Sequence, residues 1–147
     1  MPDVCTLKPG KYSLYARNGT APVTICDGWL AISDSNPAVF EVIAVDNAPL
    51  CSYVLHNGPS GNVLAPPPDY IVFVAGDGML PSTVFAINSG DGDDVYGLEI
   101  LQIDTSPTAW TDPGGDLGCA CQIKLTALTP DNTYYPTQLF KFVPVNE

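Results

Sequence analysis

Hydrophobic and polar residues alternate most clearly near the C-terminus, in residues 136–145, whose sequence is PTQLFKFVPV. Two earlier segments share the pattern, PAVFEV at residues 37–42 and PSTVFAI at residues 81–87. In each segment a proline precedes a phenylalanine by three or four residues, and another apolar residue follows two positions later. Alternation with period two is typical of a strand with one buried face, and a proline marks the turn that leads into it. We therefore predict three equivalent strands, with Phe40, Phe85 and Phe140 in the core.

A second repeated motif lies upstream of each of these segments. It is a tyrosine followed two positions later by a leucine, and its tyrosines are Tyr12, Tyr53 and Tyr96, which lie 41 and 43 residues apart. A fixed period of this size divides a single domain, residues 1–147, into three units at about 10–50, 51–94 and 95–147. Each unit is too small to bury a core alone. The sequence therefore predicts an all-β fold, a β-trefoil of twelve short strands in three four-strand units with pseudo-three-fold symmetry.

Turn signals place most of these strands. The first unit is predicted to contain strands at 10–17, 23–26, 29–32 and 39–45, and Asn18-Gly19 is a strong hairpin signal. The second unit is predicted to contain strands at 51–56, 62–64, 70–75 and 84–87. In the third unit, strands at 95–103, 119–128 and 138–145 are predicted, with a long loop rich in Pro, Gly and Asp at 105–118.

Composition and charge narrow the possible functions. The 147 residues include 15 prolines and 13 glycines, which leaves little room for long helices. No apolar run approaches the ~20 residues of a membrane helix, and the first residues lack the apolar core of a signal peptide, so we expect a cytoplasmic protein. The net charge is −11 with five basic residues, so neither a nucleic acid nor an anionic membrane is an expected partner. A monomer is the expected state.

The cysteines and the single histidine do not suggest catalysis. An odd number of cysteines, five, without a signal peptide predicts reduced thiols, and Cys119 and Cys121 would share one face of a strand. His56 is the only histidine, so a zinc site lacks ligands and no nucleophile–base pair is evident. We expect no enzymatic activity, no metal and no cofactor.

The chain resembles a family of small β-trefoil protease inhibitors from mushrooms. The resemblance is carried by GKYSL at residues 10–14, the three-fold strand repeat, and QLFKFVPV at residues 138–145. In this family, mycocypins inhibit cysteine proteases and mycospins inhibit serine proteases. The resemblance implies a fungal defence protein that occludes a protease active site with loops of a rigid scaffold. Cysteine proteases, papain-like or legumain, are the favoured targets.

The resemblance points to two loops. Mycocypins block papain-like clefts with loops that correspond here to residues 16–23 and, second, 32–39. The first of these contains the candidate protease-binding residues Arg17, Asn18, Gly19, Thr20 and Ala21. Gly19 would let the backbone approach a narrow cleft closely, although an ordinary hairpin turn also accounts for this sequence.

The loop between the fifth and sixth predicted strands is the second candidate. Some mycocypins inhibit the asparagine-specific protease legumain with an asparagine in this loop. Here the candidates are Asn57, Gly58 and Pro59, with Asn57 as the presented residue. Asn-Gly is also common turn chemistry, so a structural role stays open.

Two alternatives use the same scaffold. Inhibition of a trypsin-like serine protease requires a basic residue in the binding loop, and Arg17 is the only arginine in the sequence. A serine protease with an apolar specificity pocket could instead accept Met79 or Leu80. A lectin requires an aromatic platform with polar groups, which Trp110, Asp112 and Asp116 could supply in the third unit. Residues 18–20 also form an N-glycosylation sequon, which matters if the chain is secreted.

Overall fold

Strands of three to seven residues dominate the protein, as the sequence pattern predicts. The computed structural model describes residues 7–45, 51–58, 61–65, 70–76, 83–88, 92, 94–100, 108–131 and 133–145. These residues form the strands β1 (Gly10–Ala16), β2 (Ala21–Cys26), β3 (Trp29–Ile32), β4 (Val39–Ala44), β5 (Ser52–His56), β6 (Asn62–Leu64), β7 (Phe73–Ala75), β8 (Val84–Asn88), β9 (Val95–Ile100), β10 (Thr108–Thr111), β11 (Lys124–Ala127) and β12 (Phe140–Pro144), and a short 3-10 helix (Pro136–Gln138).

Six strands form a closed barrel. Each pairs antiparallel with the next in the order β1, β4, β5, β8, β9 and β12, and β12 pairs with β1 again. Because the ring closes, these six strands leave no free edge for pairing with another chain. The other six strands form three hairpins, β2–β3, β6–β7 and β10–β11. This arrangement is the predicted β-trefoil.

A ring of backbone hydrogen bonds joins the three hairpins with three-fold symmetry. The N–H of Leu30 donates to the carbonyl of Val72 at 3.0 Å, that of Val72 to Ile123 at 2.9 Å, and that of Ile123 back to Leu30 at 2.9 Å. All three residues are fully buried. A buried N–H left without a partner costs about 1–3 kcal/mol, so the ring satisfies backbone groups where regular strand pairing stops.

The repeated tyrosine–leucine motif produces a layer of the core. Leu14, Leu55 and Leu98 are each at most 1% exposed, and Phe40 and Phe140 are fully buried beside them. Complete burial of one such side chain contributes about 1.5–3 kcal/mol. The period found in the sequence therefore corresponds to one layer of the barrel interior.

The second unit differs from the prediction at its phenylalanine. Phe85 is only partly buried, whereas its neighbours Val84 and Ala86 are 2% and 0% exposed. The prediction that Phe85 lies in the core is wrong, because alternation along β8 turns Val84 and Ala86 inward and Phe85 outward. Four consecutive apolar residues, VFAI, are compatible with either face, so the pattern alone does not select one.

The third unit contains a strand inside the predicted long loop. β10 pairs with β9 and β11, so the prediction of a loop over residues 105–118 is wrong for Thr108–Thr111. Pro107 and Pro113 stand on either side of it in the sequence, and their turn signals obscure the four-residue strand. Within the described ranges, no helix has the length and hydropathy needed to cross a membrane.

Candidate functional site

The two loops predicted to bind a protease lie at the same end of the barrel. β1 and β5 both run antiparallel to β4, so their C-terminal ends meet at the N-terminal end of β4. The loop after β1, residues 17–20, is called the tip loop here. The loop after β5 begins at Asn57 and projects from the same end of the barrel.

The tip loop is a tight hairpin turn with a left-handed backbone. Arg17, Asn18 and Gly19 have φ angles of 56°, 60° and 80°. Three hydrogen bonds from Thr20 close the turn. Its N–H donates to the carbonyls of Ala16 and Arg17 at 3.1 and 3.3 Å, and its hydroxyl donates to the Arg17 carbonyl at 2.7 Å. Left-handed geometry costs a non-glycine residue about 1–2 kcal/mol, so this conformation needs such support.

The five residues of this loop that are predicted to bind a protease differ in their solvent exposure. Asn18 and Thr20 are exposed at the turn, and Arg17 and Gly19 are partly buried. Ala21 begins β2 and is 2% exposed. Ala21 is therefore a core residue that supports the tip loop and is not accessible to a partner.

A buried carboxylate fixes the base of the tip loop. Arg17 Nε donates to Asp112 Oδ2 at 2.7 Å, and Arg17 Nη2 donates to Asp112 Oδ1 at 3.2 Å. The Asp112 side chain is 4% exposed and that of Arg17 is 31% exposed. Such two-point pairs fix geometry as well as charge. The ion pair therefore ties the tip loop to the segment that follows β10.

Asp112 has a second anchor and stays ionised. The N–H of Gly114 donates to Asp112 Oδ1 at 2.8 Å. Burial alone would raise the pKa of Asp112, but the hydrogen bonds from Arg17 and Gly114 outweigh it and hold the pKa below its usual range. The carboxylate is therefore charged at neutral and mildly acidic pH.

Two grooves flank the tip loop. One has a volume of about 280 Å³ and is lined by Asn18, Gly19, Asp94, Val95, Pro136, Leu139 and Lys141. The other has a volume of about 210 Å³ and is lined by Arg17, Asn18, Asp112, Pro136 and Thr137. Asn18 borders both grooves, so its side chain has open space on either side.

The 3-10 helix that separates these grooves is anchored by a buried glutamine. Gln138 is fully buried, and its amide nitrogen donates to the carbonyls of Ala127 and Thr126 at 3.0 and 3.3 Å. The N–H of Asp112 donates to the Thr137 carbonyl at 2.8 Å. The groove wall formed by Pro136 and Thr137 is therefore held firmly against the end of β10.

Three of the cysteines are disulfide-bonded, although the sequence predicts reduced thiols. Cys26 and Cys119 form a disulfide with their Cα atoms 5.5 Å apart, and Cys51 is also disulfide-bonded. Reduced thiols are therefore the wrong prediction for these three residues. Cys121 keeps a free thiol, which is buried and donates to Asp112 Oδ1 at 3.7 Å. Cys119 is exposed and Cys121 is buried, so the two do not share a face.

Asn57, predicted to be presented to a protease by the loop after β5, is hydrogen-bonded to the protein itself. Asn57 is partly buried, its amide nitrogen donates to the Val39 carbonyl at 3.0 Å, and its N–H donates to the Gly61 carbonyl at 2.9 Å. The Asn57 side chain is therefore already bound to β4. Gly58 is exposed, with φ of 76°. Pro59, and the alternative residues Met79 and Leu80, lie outside the described residues.

The residues predicted to bind sugar do not form one surface. Trp110 is 1% exposed and its ring packs edge-on against Phe140, with centroids 6.1 Å apart. Its faces are therefore not available to stack on a sugar. Asp112 is occupied by Arg17, and Asp116 is exposed in the following loop. The exposed tryptophan is Trp29, on β3, where it contacts Phe73.

No local sequence pattern indicates the partners of the tip loop. Asp112 lies 95 positions from Arg17, and Lys141, from the last strand, lines the same groove as Gly19. The only signal for the ion pair is the presence of a single arginine among 16 acidic residues, which does not identify the acidic partner.

Comparison with known proteins supports the fold. The chain matches no protein-family model and no curated sequence. It is similar in structure to a proteinase inhibitor from Coprinopsis cinerea, at 17% identity over 95% of this chain and 99% of that one, with a TM-score of 0.69. It is also similar to a BEL β-trefoil in an apo crystal form, at 17% identity over 98% of both chains, with a TM-score of 0.67. At this identity the likeness establishes the β-trefoil fold.

Proposed function

We propose that this protein is a protease inhibitor that places the tip loop in the active-site cleft of its target, and that papain-like cysteine proteases are the favoured class. The observation that carries the proposal is the tip loop itself. Its exposed residues, Asn18 and Thr20, are small, and the turn is closed by hydrogen bonds and by the Arg17–Asp112 ion pair. A loop that is ordered before binding avoids much of the entropy cost of association.

The shape of the loop favours a narrow cleft. Gly19 has no side chain and lines the larger groove, and its neighbour Asn18 borders both grooves, so a wall of the target could enter beside the turn. The proteinase inhibitor from Coprinopsis cinerea has the same fold, which makes this use of the scaffold reasonable.

The target class is inferred from the state of Arg17. A trypsin-like enzyme would have to pull the guanidinium away from Asp112, which is 4% exposed and would lose its partner. The other basic residues, Lys8, Lys11, Lys124 and Lys141, precede or lie within strands. Breaking a largely buried ion pair is costly, so the loop is poorly suited to an acidic specificity pocket.

Legumain is a less favoured target on the same reasoning. Its recognition would require a free asparagine side chain, and the amide of Asn57 is bonded to the Val39 carbonyl. Asn18 is the more exposed asparagine, but its left-handed φ of 60° differs from the extended backbone of a bound substrate.

The test is a titration of papain, legumain, trypsin, chymotrypsin and subtilisin with the full chain. The cysteine proteases should be activated with a thiol and then freed of it, because residual reductant would attack the Cys26–Cys119 disulfide. We expect stoichiometric, sub-micromolar inhibition of papain and full activity of trypsin. Full activity of all five enzymes at tens of micromolar inhibitor would refute the proposal. Inhibition of trypsin without papain would refute the assigned class.

A further inference from the structure

The tip loop carries a modification motif that protease inhibition does not use. Asn18-Gly19-Thr20 is the only Asn-x-Ser/Thr sequon in the 147 residues. The two residues that define the motif, Asn18 and Thr20, are the exposed residues of the turn. Because Asn18 borders both grooves, a bulky group on its amide nitrogen would have room on either side.

A second, independent feature points to the compartment in which such motifs are modified. Cys26 and Cys119 are joined by a disulfide, and Cys119 is exposed. Disulfides form and persist in oxidising environments, chiefly along the secretory route and outside the cell. The same route supplies the enzymes of N-glycosylation, so the disulfide favours it over the predicted cytoplasmic location.

We propose that Asn18 is an N-glycosylation acceptor and that a glycan at this position prevents protease binding; the second part rests on the proposed function. In the reaction, Asn18 Nδ2 forms a C–N bond with the anomeric carbon of a lipid-linked oligosaccharide. The bond from that carbon to the lipid pyrophosphate breaks, the lipid pyrophosphate leaves, and the amide nitrogen loses one proton. The step consumes neither oxidant nor reductant.

The position of the glycan gives it a functional consequence. The proposed inhibitory contact is made by the backbone around Gly19, directly beside the modified residue. An oligosaccharide on Asn18 would extend into the grooves that Asn18 borders, one of which Gly19 also lines. The two states are therefore mutually exclusive: the glycan-bearing chain is an inactive form, and the unmodified chain is the inhibitor.

The test of the acceptor site is secretion of the full chain from yeast behind a cleavable leader, followed by mass measurement before and after endoglycosidase H. We expect a glycan on the wild type and on Thr20→Ser, which keeps both the sequon and the hydroxyl that bonds the Arg17 carbonyl. We expect none on Thr20→Ala or Asn18→Gln, and thermal unfolding of each variant shows that it is folded. A secreted, disulfide-bonded wild type with an unmodified mass would overturn the proposal.

The test of exclusion compares inhibition of papain by the glycan-bearing wild type and by the same wild-type chain made in the bacterial periplasm, which forms disulfides but adds no such glycan. We expect inhibition by the glycan-bearing chain to be at least about tenfold weaker, a loss of about 1.4 kcal/mol. Equal inhibition by the two forms would overturn the exclusion. If neither form inhibits, the proposed function fails, while the mass measurement still decides whether Asn18 is an acceptor.

Discussion

Replacing Asp112 with alanine would remove the carboxylate that holds Arg17 at the base of the tip loop. The variant loses two hydrogen bonds from Arg17, at 2.7 and 3.2 Å, one from the Gly114 N–H, at 2.8 Å, and one from the buried Cys121 thiol, at 3.7 Å. The change is small in volume, and β10 ends one residue earlier, at Thr111, so the strand itself is unaffected. The expected effect is therefore electrostatic and local.

The size of the stability loss depends on how exposed Asp112 and Arg17 are to solvent. Removing one member of a fully buried ion pair costs about 3–5 kcal/mol. Here Asp112 is 4% exposed, but Arg17 is 31% exposed and can regain water when its partner is lost. We therefore expect a loss of about 2–3 kcal/mol, which corresponds to a decrease in Tm of about 4–12 °C for a chain of this size.

The assay is thermal and denaturant unfolding of oxidised protein, with Asp116→Ala as the matched control. Asp116 is an exposed carboxylate in the same loop, so its removal should change stability by less than about 0.5 kcal/mol. A loss for Asp112→Ala no larger than that of the control would refute the role of the ion pair.

Acid provides a second readout for this residue. The pKa of Asp112 is held below its usual range, so the folded state binds fewer protons than the unfolded state in mild acid. The stability that the ion pair contributes is complete above the unfolded pKa of about 3.9 and is lost as pH falls through the lower folded value. The stability difference between the wild type and Asp112→Asn should therefore be constant at neutral pH and narrow below about pH 4. A constant difference down to pH 2 would contradict this.

Two further predictions concern the scaffold. Cys26 and Cys119 are 93 positions apart, so replacing both with alanine should cost about 2–4 kcal/mol through the freed unfolded chain; a loss below about 1 kcal/mol in urea unfolding would contradict this. In Gly97→Ala the new Cβ atom would meet the ring of Tyr134, whose hydroxyl donates to Glu99, so we expect the free energy of unfolding to fall by about 1–3 kcal/mol. Gly76→Ala is the control and should be nearly neutral, because open space surrounds Gly76. Equal stability of the two alanine variants would show that the ring moves aside freely.

The barrel could be predicted from the sequence because its determinants are local and repeated. Leu14, Leu55 and Leu98 recur with one period and occupy equivalent core positions. The predictions are wrong where the local sequence signal is weak or ambiguous. β10 is four residues long between two prolines, and the apolar run around Phe85 fits either face of a strand.

The candidate site depends mostly on contacts between distant residues, which no local pattern reveals. Asn18 and Gly19 were identified as a turn from their own chemistry. The ion pair of Arg17 with Asp112 and the disulfide of Cys26 with Cys119 join residues 95 and 93 positions apart. The burial of Trp110 is not evident from the sequence for the same reason, because Phe140, which packs against its ring in the core, comes from the last strand.

The most direct measurement of the central claim compares three glycine-to-glutamate variants as inhibitors of papain. Gly19, Gly58 and Gly115 have φ of 80°, 76° and 87°, so a side chain at each meets similar backbone strain. A Cβ at Gly19 would also lie 3.1 Å from Lys141 Cδ, at the far end of a flexible side chain, whereas Gly58 and Gly115 face open space. Gly19 is in the tip loop, Gly58 in the loop after β5, and Gly115 in the loop after β10.

The account predicts a specific order among the three. Gly19→Glu should weaken inhibition at least about 100-fold, a loss of about 2.7 kcal/mol, while Gly115→Glu stays near the wild type and Gly58→Glu changes less than Gly19→Glu. Inhibition by Gly19→Glu equal to that of the wild type, with the protein folded, would show that the tip loop does not enter the active site.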